Sequence, residues 1–418
     1  MKIHLTNIKS LVQVRDKNTD ILKGKDLSNL PCIDNAFLTI EDDTIMNFGS
    51  MEYFNPTVDD KIINVKDKMI LPTWVDSHTH LVYAGTREDE FKNRIKGLSY
   101  QQIAEKGGGI LNSAQKLQNN SEQELFDQAM KRLNTLIELG TGAIEVKSGY
   151  GLTHQAELKM LSVIKRLKDH SPIPIKSTYL AAHALPRDFR NNKKEYLDSI
   201  VNRTLPEVAK YNLTDYVDVF CEKGYFDLDD TERILKASLK YGLKAKVHVN
   251  QFNAFGGVEL ATKYNALSVD HLEELNQEDI AALKQSETIP VALPGCSFFL
   301  SLPYTPAREL IDSNLPLVLA SDMNPGSTPS GNMNFVVALA CIKMNLLPEE
   351  AINAATFNAA KAIELSSLVG SITTGKKANF IITKPIPSLT YMPYSFGDNH
   401  ISEVWINGKP FKNEYKIL

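Results

Sequence analysis

Between about residue 70 and residue 322 the chain alternates. Short β-branched or apolar runs are each followed by a longer stretch of helical character, and eight such runs can be marked: 71–80, 142–148, 173–183, 216–222, 243–250, 266–271, 288–294 and 315–322. Parallel strands need a crossover of a dozen or more residues, so this rhythm leaves few architectures open. The intervening stretches carry helix signals of their own. Ser121 with Glu124 has capping-box spacing, in which each side chain satisfies a free backbone N–H of the other. Thr153 stands ahead of Leu158, Leu161, Ile164 and Leu167, which share one helical face. Residues 227–241, 277–284 and 304–313 fit the same role. Eight strand–helix units over roughly 250 residues predict an α/β fold, a (β/α)8 barrel of TIM type. An open doubly wound sheet is the competing architecture; the first run lacks the glycine-rich phosphate loop that sheet would carry.

The two ends read differently. AFLTIEDDTIMNFGS and INVKDKMI near the start, and GSITTGKKANFIIT and EVWINGKPF near the end, are short strands broken by turns. They predict a small β-sandwich-like domain assembled from residues 1–68 and 369–418, flanking a barrel of residues 69–368. The 418 residues are 43% hydrophobic and 23% charged, with a formal net charge of −4, which gives no electrostatic reason to expect nucleic acid or an anionic membrane as partner. Cys32, Cys221, Cys296 and Cys341 form no CxxC pair and read as reduced thiols. The sequence shows neither a signal-peptide pattern nor an apolar run of the ~20 residues that span a bilayer. A cytoplasmic location is the expectation.

Five of the nine histidines fall at or near the end of a predicted strand: His78 and His80 on the first, His183 on the third, His248 on the fifth and His271 on the sixth. The eighth ends in Asp322. In a barrel those ends meet at one mouth, where the active sites of this fold form. Residues two apart on a strand project to the same side, so His78 and His80 can bind one ion. A lone HxH pair is more often structural, and a lone His248 a hydrogen-bonded core histidine; their common placement favours ligation. His248 and Asp322 would complete three nitrogens and one carboxylate oxygen, with a position left for water. A bound ion lowers the pKa of water from 15.7 to roughly 7, and Asp322 could take the water's proton. Zinc suits this donor set and iron also fits, as a divalent or trivalent ion. Lys147, ending the second run, would bridge a second ion only if carboxylated; a packing role is the commoner one.

At this point VDSHTH, YAGTREDEF, KGGGILNSAQKL, VKSGYGL, AAHALP, DVFCEKGYF, HVNQFNAFGG, SVDHLEE and SDMNPGSTP, in that order, resemble the imidazolonepropionases of the amidohydrolase superfamily. HxH marks only the superfamily, whereas KSGYGL and DMNPGS are far more specific. The resemblance implies a barrel with a composite β domain. It implies hydrolysis of the ring of 4-imidazolone-5-propanoate to N-formimidoyl-L-glutamate, with His78, His80, His248 and Asp322 holding the metal. It assigns Arg87 to the propanoate, Tyr150 and the Asn324, Gly326, Ser327 turn to substrate or product, and His183 to the imidazolone ring, where it could polarise the carbonyl. Asp322 would accept the water's proton, and Asp322 or His271 would protonate the departing nitrogen. One position departs: Gln251 stands where the family commonly has glutamate, and an amide cannot act as a base at neutral pH. The implied partner is a small molecule; a homodimer is common among such barrels but is specified by no residue here. The rivals are a nucleobase-type deaminase, disfavoured by Gln251 and by Arg87, and a non-catalytic metal-holding barrel, disfavoured because no ligand is missing.

Overall fold

A computed structural model describes residues 2–98, 102 and 108–413; Lys106 and Gly107 of the KGGGILNSAQKL motif lie outside the described residues. The central body is a barrel of eight strands: Trp74–Asp76, Thr141–Lys147, Ile175–Ala182, Tyr216–Cys221, Lys244–Val249, Ser268–His271, Ile289–Ala292 and Val318–Leu319. Each pairs in parallel with the next. The ring is closed at its mouth by hydrogen bonds from Asp322 N to His78 O (3.0 Å) and from His80 N to Met323 O (2.8 Å). Buried Asp76 adds a second clasp, accepting from Ser321 N (2.9 Å) and Ser321 Oγ (2.5 Å). The segments that close the barrel are therefore the ones that carry His78, His80 and Asp322.

The hydrogen-bonded strands are shorter than the predicted runs. The 71–80 run divides: Met69–Pro72 pairs within the sheet of the termini, and only Trp74–Asp76 enters the barrel. At three strand ends the backbone turns through positive φ, at Asn250 (+55°), His271 (+94°) and Asp322 (+53°). Asn, Asp and His are the side chains that tolerate this region best, and here they end their strands in it.

The helices follow their predicted caps. Glu122–Glu138 opens on the Ser121–Glu124 capping box, and His154–His170 opens on Thr153, which accepts from Ala156 N and precedes the buried Leu161, Ile164 and Leu167. Leu228–Leu239 and Gln277–Lys284 lie within or on their predicted spans. The 304–313 helix is trimmed to Ala307–Asp312, because Pro306 keeps Thr305 out of helical conformation. No helix among the described residues is long and apolar enough to cross a membrane.

Strands from both termini form the second sheet, and Met69–Pro72 stitches them together, parallel to Lys2–Val12 and antiparallel to Phe380–Thr383. Its eight strands hydrogen-bond in one continuous network. Its core is apolar: Leu5, Leu38, Ile40, Ile45, Phe380, Ile382 and Trp405, with the Phe380 and Trp405 rings stacked at 5.4 Å. At the 408–409 turn a Cβ on Gly408 would meet Asp42 O at 2.1 Å, so the turn closes only with glycine.

Candidate active site

The mouth of the barrel opens into a cavity lined by His80, Arg87, Tyr150, His183, His248, Gln251, His271, Asp322, Asn324, Gly326 and Ser327. His78 lies beneath it, fully buried. Every site residue expected from the sequence is thus gathered at one place.

His78, His80 and His248 each present a nitrogen within 4.8 Å of the others. Asp322 Oδ1 lies 3.5 Å from His78 Nε2 and 3.6 Å from His80 Nε2. Burial holds all three imidazoles well below the ordinary histidine pKa, helped by Lys147 for His78 and His248 and by His183 for His80. They are therefore neutral, the form that binds metals. His78 Nε2 and His248 Nε2 are buried without a hydrogen-bond partner among the described residues. Unpaired buried lone pairs are costly. Three neutral nitrogens beside one carboxylate fit a single cation.

Carboxylates lie behind two of the three histidines. His78 Nδ1 is 2.6 Å from Asp270 Oδ2. His248 Nδ1 is 2.9 Å from Asp218 Oδ2, an ion-pair distance without the alignment of a hydrogen bond. Such partners set which nitrogen faces the metal.

The remaining groups face the cavity from several loops. Arg87 is anchored by Nε donating to Ser113 Oγ (2.8 Å), while its buried Nη2 has no partner among the described residues. The guanidinium lies against backbone at Gly326, where a Cβ would sit 2.2 Å from Nη1. Glycine there is what lets Arg87 in. Tyr150 packs edge-on to His80 and His183. Its loop is held by Glu157, whose carboxylate accepts from the backbone N–H groups of Gly149, Gly151 and Leu152 at 2.7–3.0 Å.

His183 Nδ1 lies 3.0 Å from Gly149 O. A carbonyl can only accept, so Nδ1 carries the proton and Nε2 is left as an acceptor. Burial lowers His183 to about 4, so it stays in that form at neutral pH. Polarising a carbonyl, the role expected of it, would need a second proton. His271 behaves oppositely: burial alone would depress it, but Glu273, 3.3 Å from Nδ1, lifts it to about 9. Burial raises Asp322 to about 6.

Asn324 spends its side chain on the turn. Oδ1 accepts from Gly326 N and Ser327 N, and Nδ2 donates to Asp322 O and Ser327 Oγ. It shapes the loop and has little left for a ligand. Ser327 Oγ donates to Asp322 Oδ2 at 3.3 Å. Gln251 Nε2 donates to Cys296 Sγ at 3.3 Å.

Sequence reasoning assigned no role to Asp76, Asp218, Asp270, Glu157 or Glu273, although Asp76, Asp218, Asp270 and Glu273 lie within the VDSHTH, DVFCEKGYF and SVDHLEE motifs. The position of Asp270 directly before His271 at a strand end was a further hint.

The amidohydrolase family matches residues 69–411. An imidazolonepropionase of Christiangramia forsetii is 58% identical over 98% of this chain and all of its own length. One of Flavobacterium johnsoniae is 58% identical over 97% of this chain and 98% of its own. Among solved structures, E. coli guanine deaminase superposes with a TM-score of 0.74 over 99% of this chain and 100% of its own, at 14% identity, a likeness of fold. With its family match spanning most of its length and these relatives covering nearly all of it, the chain belongs to the amidohydrolase family, in the imidazolonepropionase branch.

Proposed function

We propose that this chain is a hydrolase that opens the ring of 4-imidazolone-5-propanoate with water, breaking a C–N bond to give N-formimidoyl-L-glutamate in the cytoplasm. The observation that carries the reading is Arg87: a buried guanidinium with an unpartnered Nη2 shares one cavity with the histidine–aspartate cluster. A guanidinium edge suits a carboxylate, and the substrate is a small ring bearing a carboxylate arm.

His78, His80, His248 and Asp322 would hold one ion, zinc or iron. When bound, such an ion supplies Lewis acidity and water acidified to a pKa of about 7. Arg87 binds the propanoate and fixes the ring's depth in the cavity. His183 Nε2 accepts a ring N–H, the role its tautomer allows, and Gln251 hydrogen-bonds the ring edge. Asp322 takes the proton of the attacking water. Its carboxylate faces the same cavity as His80 and His248, within reach of a water bound there. Oxygen adds to the ring carbonyl carbon, the C–N bond breaks, and His271, kept protonated by Glu273, gives its proton to the departing nitrogen.

The test is to incubate the metal-loaded protein with freshly generated imidazolonepropionate and follow its ultraviolet absorbance. Loss faster than spontaneous decay, abolished by chelation, is expected; decay at the spontaneous rate would overturn the assignment. A nucleobase deaminase would release ammonia from a panel of bases, and none is expected, because Gln251 offers an amide where such an enzyme needs an acid.

A further inference from the structure

The second barrel strand ends in a lysine that the reaction above does not use. Lys147 is fully buried, and its Nζ lies 2.8 Å from Glu145 Oε1, 2.8 Å from Asp218 Oδ2 and 3.7 Å from Asp270 Oδ2. Burial opposes its charge, but the carboxylates outweigh burial and raise it above the ordinary lysine range. A carboxylated lysine, which would bridge a second ion, does not fit here: it would place a fourth negative group among three.

The two aspartate oxygens that face Lys147 also face the ligand histidines. Asp270 Oδ2 is 2.6 Å from His78 Nδ1, and Asp218 Oδ2 is 2.9 Å from His248 Nδ1. Their other oxygens are occupied, Asp218 Oδ1 by the N–H groups of Val219 and His248, and Asp270 Oδ1 by Ser268 Oγ. Each carboxylate therefore has one orientation in which all its partners are kept. Lys246 ties off the far end, 2.9 Å from Glu145 Oε2 and donating to Ser77 O at 3.0 Å, next to His78 in the chain.

We propose that Lys147 is a positioning residue for metal binding: one ammonium fixes Asp218 and Asp270 together, and through them aims Nε2 of His78 and His248 at a shared cation. This rests on the metal reading above. It adds a reason for the lysine's charge. At formal charges, Lys147 and Lys246 offset two of the three carboxylates Glu145, Asp218 and Asp270 packed behind the ligands. Without Lys147 the aspartates lose the group that holds them behind the histidines, and they can turn to compete for the metal themselves.

Lys147→Met alone strands buried carboxylates and threatens folding. The informative variant is the charge-balanced Lys147→Met/Glu145→Gln, with Asp218→Asn as a volume-preserving second arm. Far-UV circular dichroism checks the fold, competition with a chromogenic chelator gives the zinc dissociation constant, and the visible spectrum of the Co(II) form reports ligand geometry. Each folded variant is expected to bind zinc about ten- to a hundredfold more weakly, the usual effect of losing a group that orients a ligand, with a shifted cobalt band. Zinc affinity within twofold of wild type and a superimposable cobalt band in either folded variant would overturn the proposal, even with a lowered melting temperature, since that is what a merely structural lysine predicts. Wild-type zinc binding, and its loss in His248→Ala, is measured first: failure there sinks the metal reading itself.

Discussion

The core of the sheet built from the termini is packed with Leu5, Leu38, Ile40, Phe380 and Trp405, whereas the strands of the barrel bury a charged cluster of Glu145, Lys147, Asp218, Lys246 and Asp270. Apolar burial is non-directional and tolerates neighbours of similar volume. Buried charge is stable only when each group meets its partners at close range. The apolar core of the sheet can therefore hold the chain ends with few contacts that must be exact. The charged cluster must specify every one, and that same demand aims the histidines. Two lysines make the contrast local. Lys376, near the terminal sheet, donates to Val369 O and Ser371 Oγ, and burial depresses it to about 8. Lys147 lies among carboxylates and is shifted the other way.

If the two regions do separate work, mutations should separate them too. Asp322→Asn should reduce turnover by about 10²–10⁴-fold, the range for a lost acid–base group, and leave the melting temperature close to wild type; steady-state kinetics with calorimetry checks both. Phe380→Ala should destabilise the fold by about 3–5 kcal/mol, read by urea unfolding, while the folded protein keeps its zinc affinity. A matching loss of zinc affinity would break the division. Arg87→Ala should raise KM by about ten- to a hundredfold, from the roughly 1.5–3 kcal/mol of a charged hydrogen bond, with kcat changed much less.

The smallest effect concerns Lys376. Its folded pKa of about 8 lies below the ordinary 10.5, so the unfolded chain holds the proton more tightly. The cost to stability is constant below about 8 and disappears as pH rises towards 10.5. The melting temperature of wild type relative to Lys376→Met should therefore climb between pH 8 and 10.5. A difference that stays flat across that window would contradict the assignment.

Much of this was readable from the chain. Alternation along a strand put His78 and His80 on one side, and the placement of His248 and Asp322 at later strand ends brought them to the same mouth. Arg87 was legible only through its motif, since nothing in the residues around it distinguishes a buried guanidinium from a surface one. The roles of Asp218, Asp270 and Lys246 could not be read because they depend on register between neighbouring strands, such as Asp270 opposite His248, even where the residue itself lay in a motif. The division of the 71–80 run escaped for a related reason: Met69–Pro72 is apolar enough for either sheet, and its pairing with Phe380–Thr383 is set by residues three hundred positions away.

Anomalous scattering at the zinc edge from crystals of the metal-loaded protein tests the central claim most directly. One strong peak per chain is predicted, bounded by His78, His80, His248 and Asp322. A peak instead among His271, Glu273 and Cys296, whose donor atoms also lie within 4.8 Å of one another, or no peak at the barrel mouth, would contradict it.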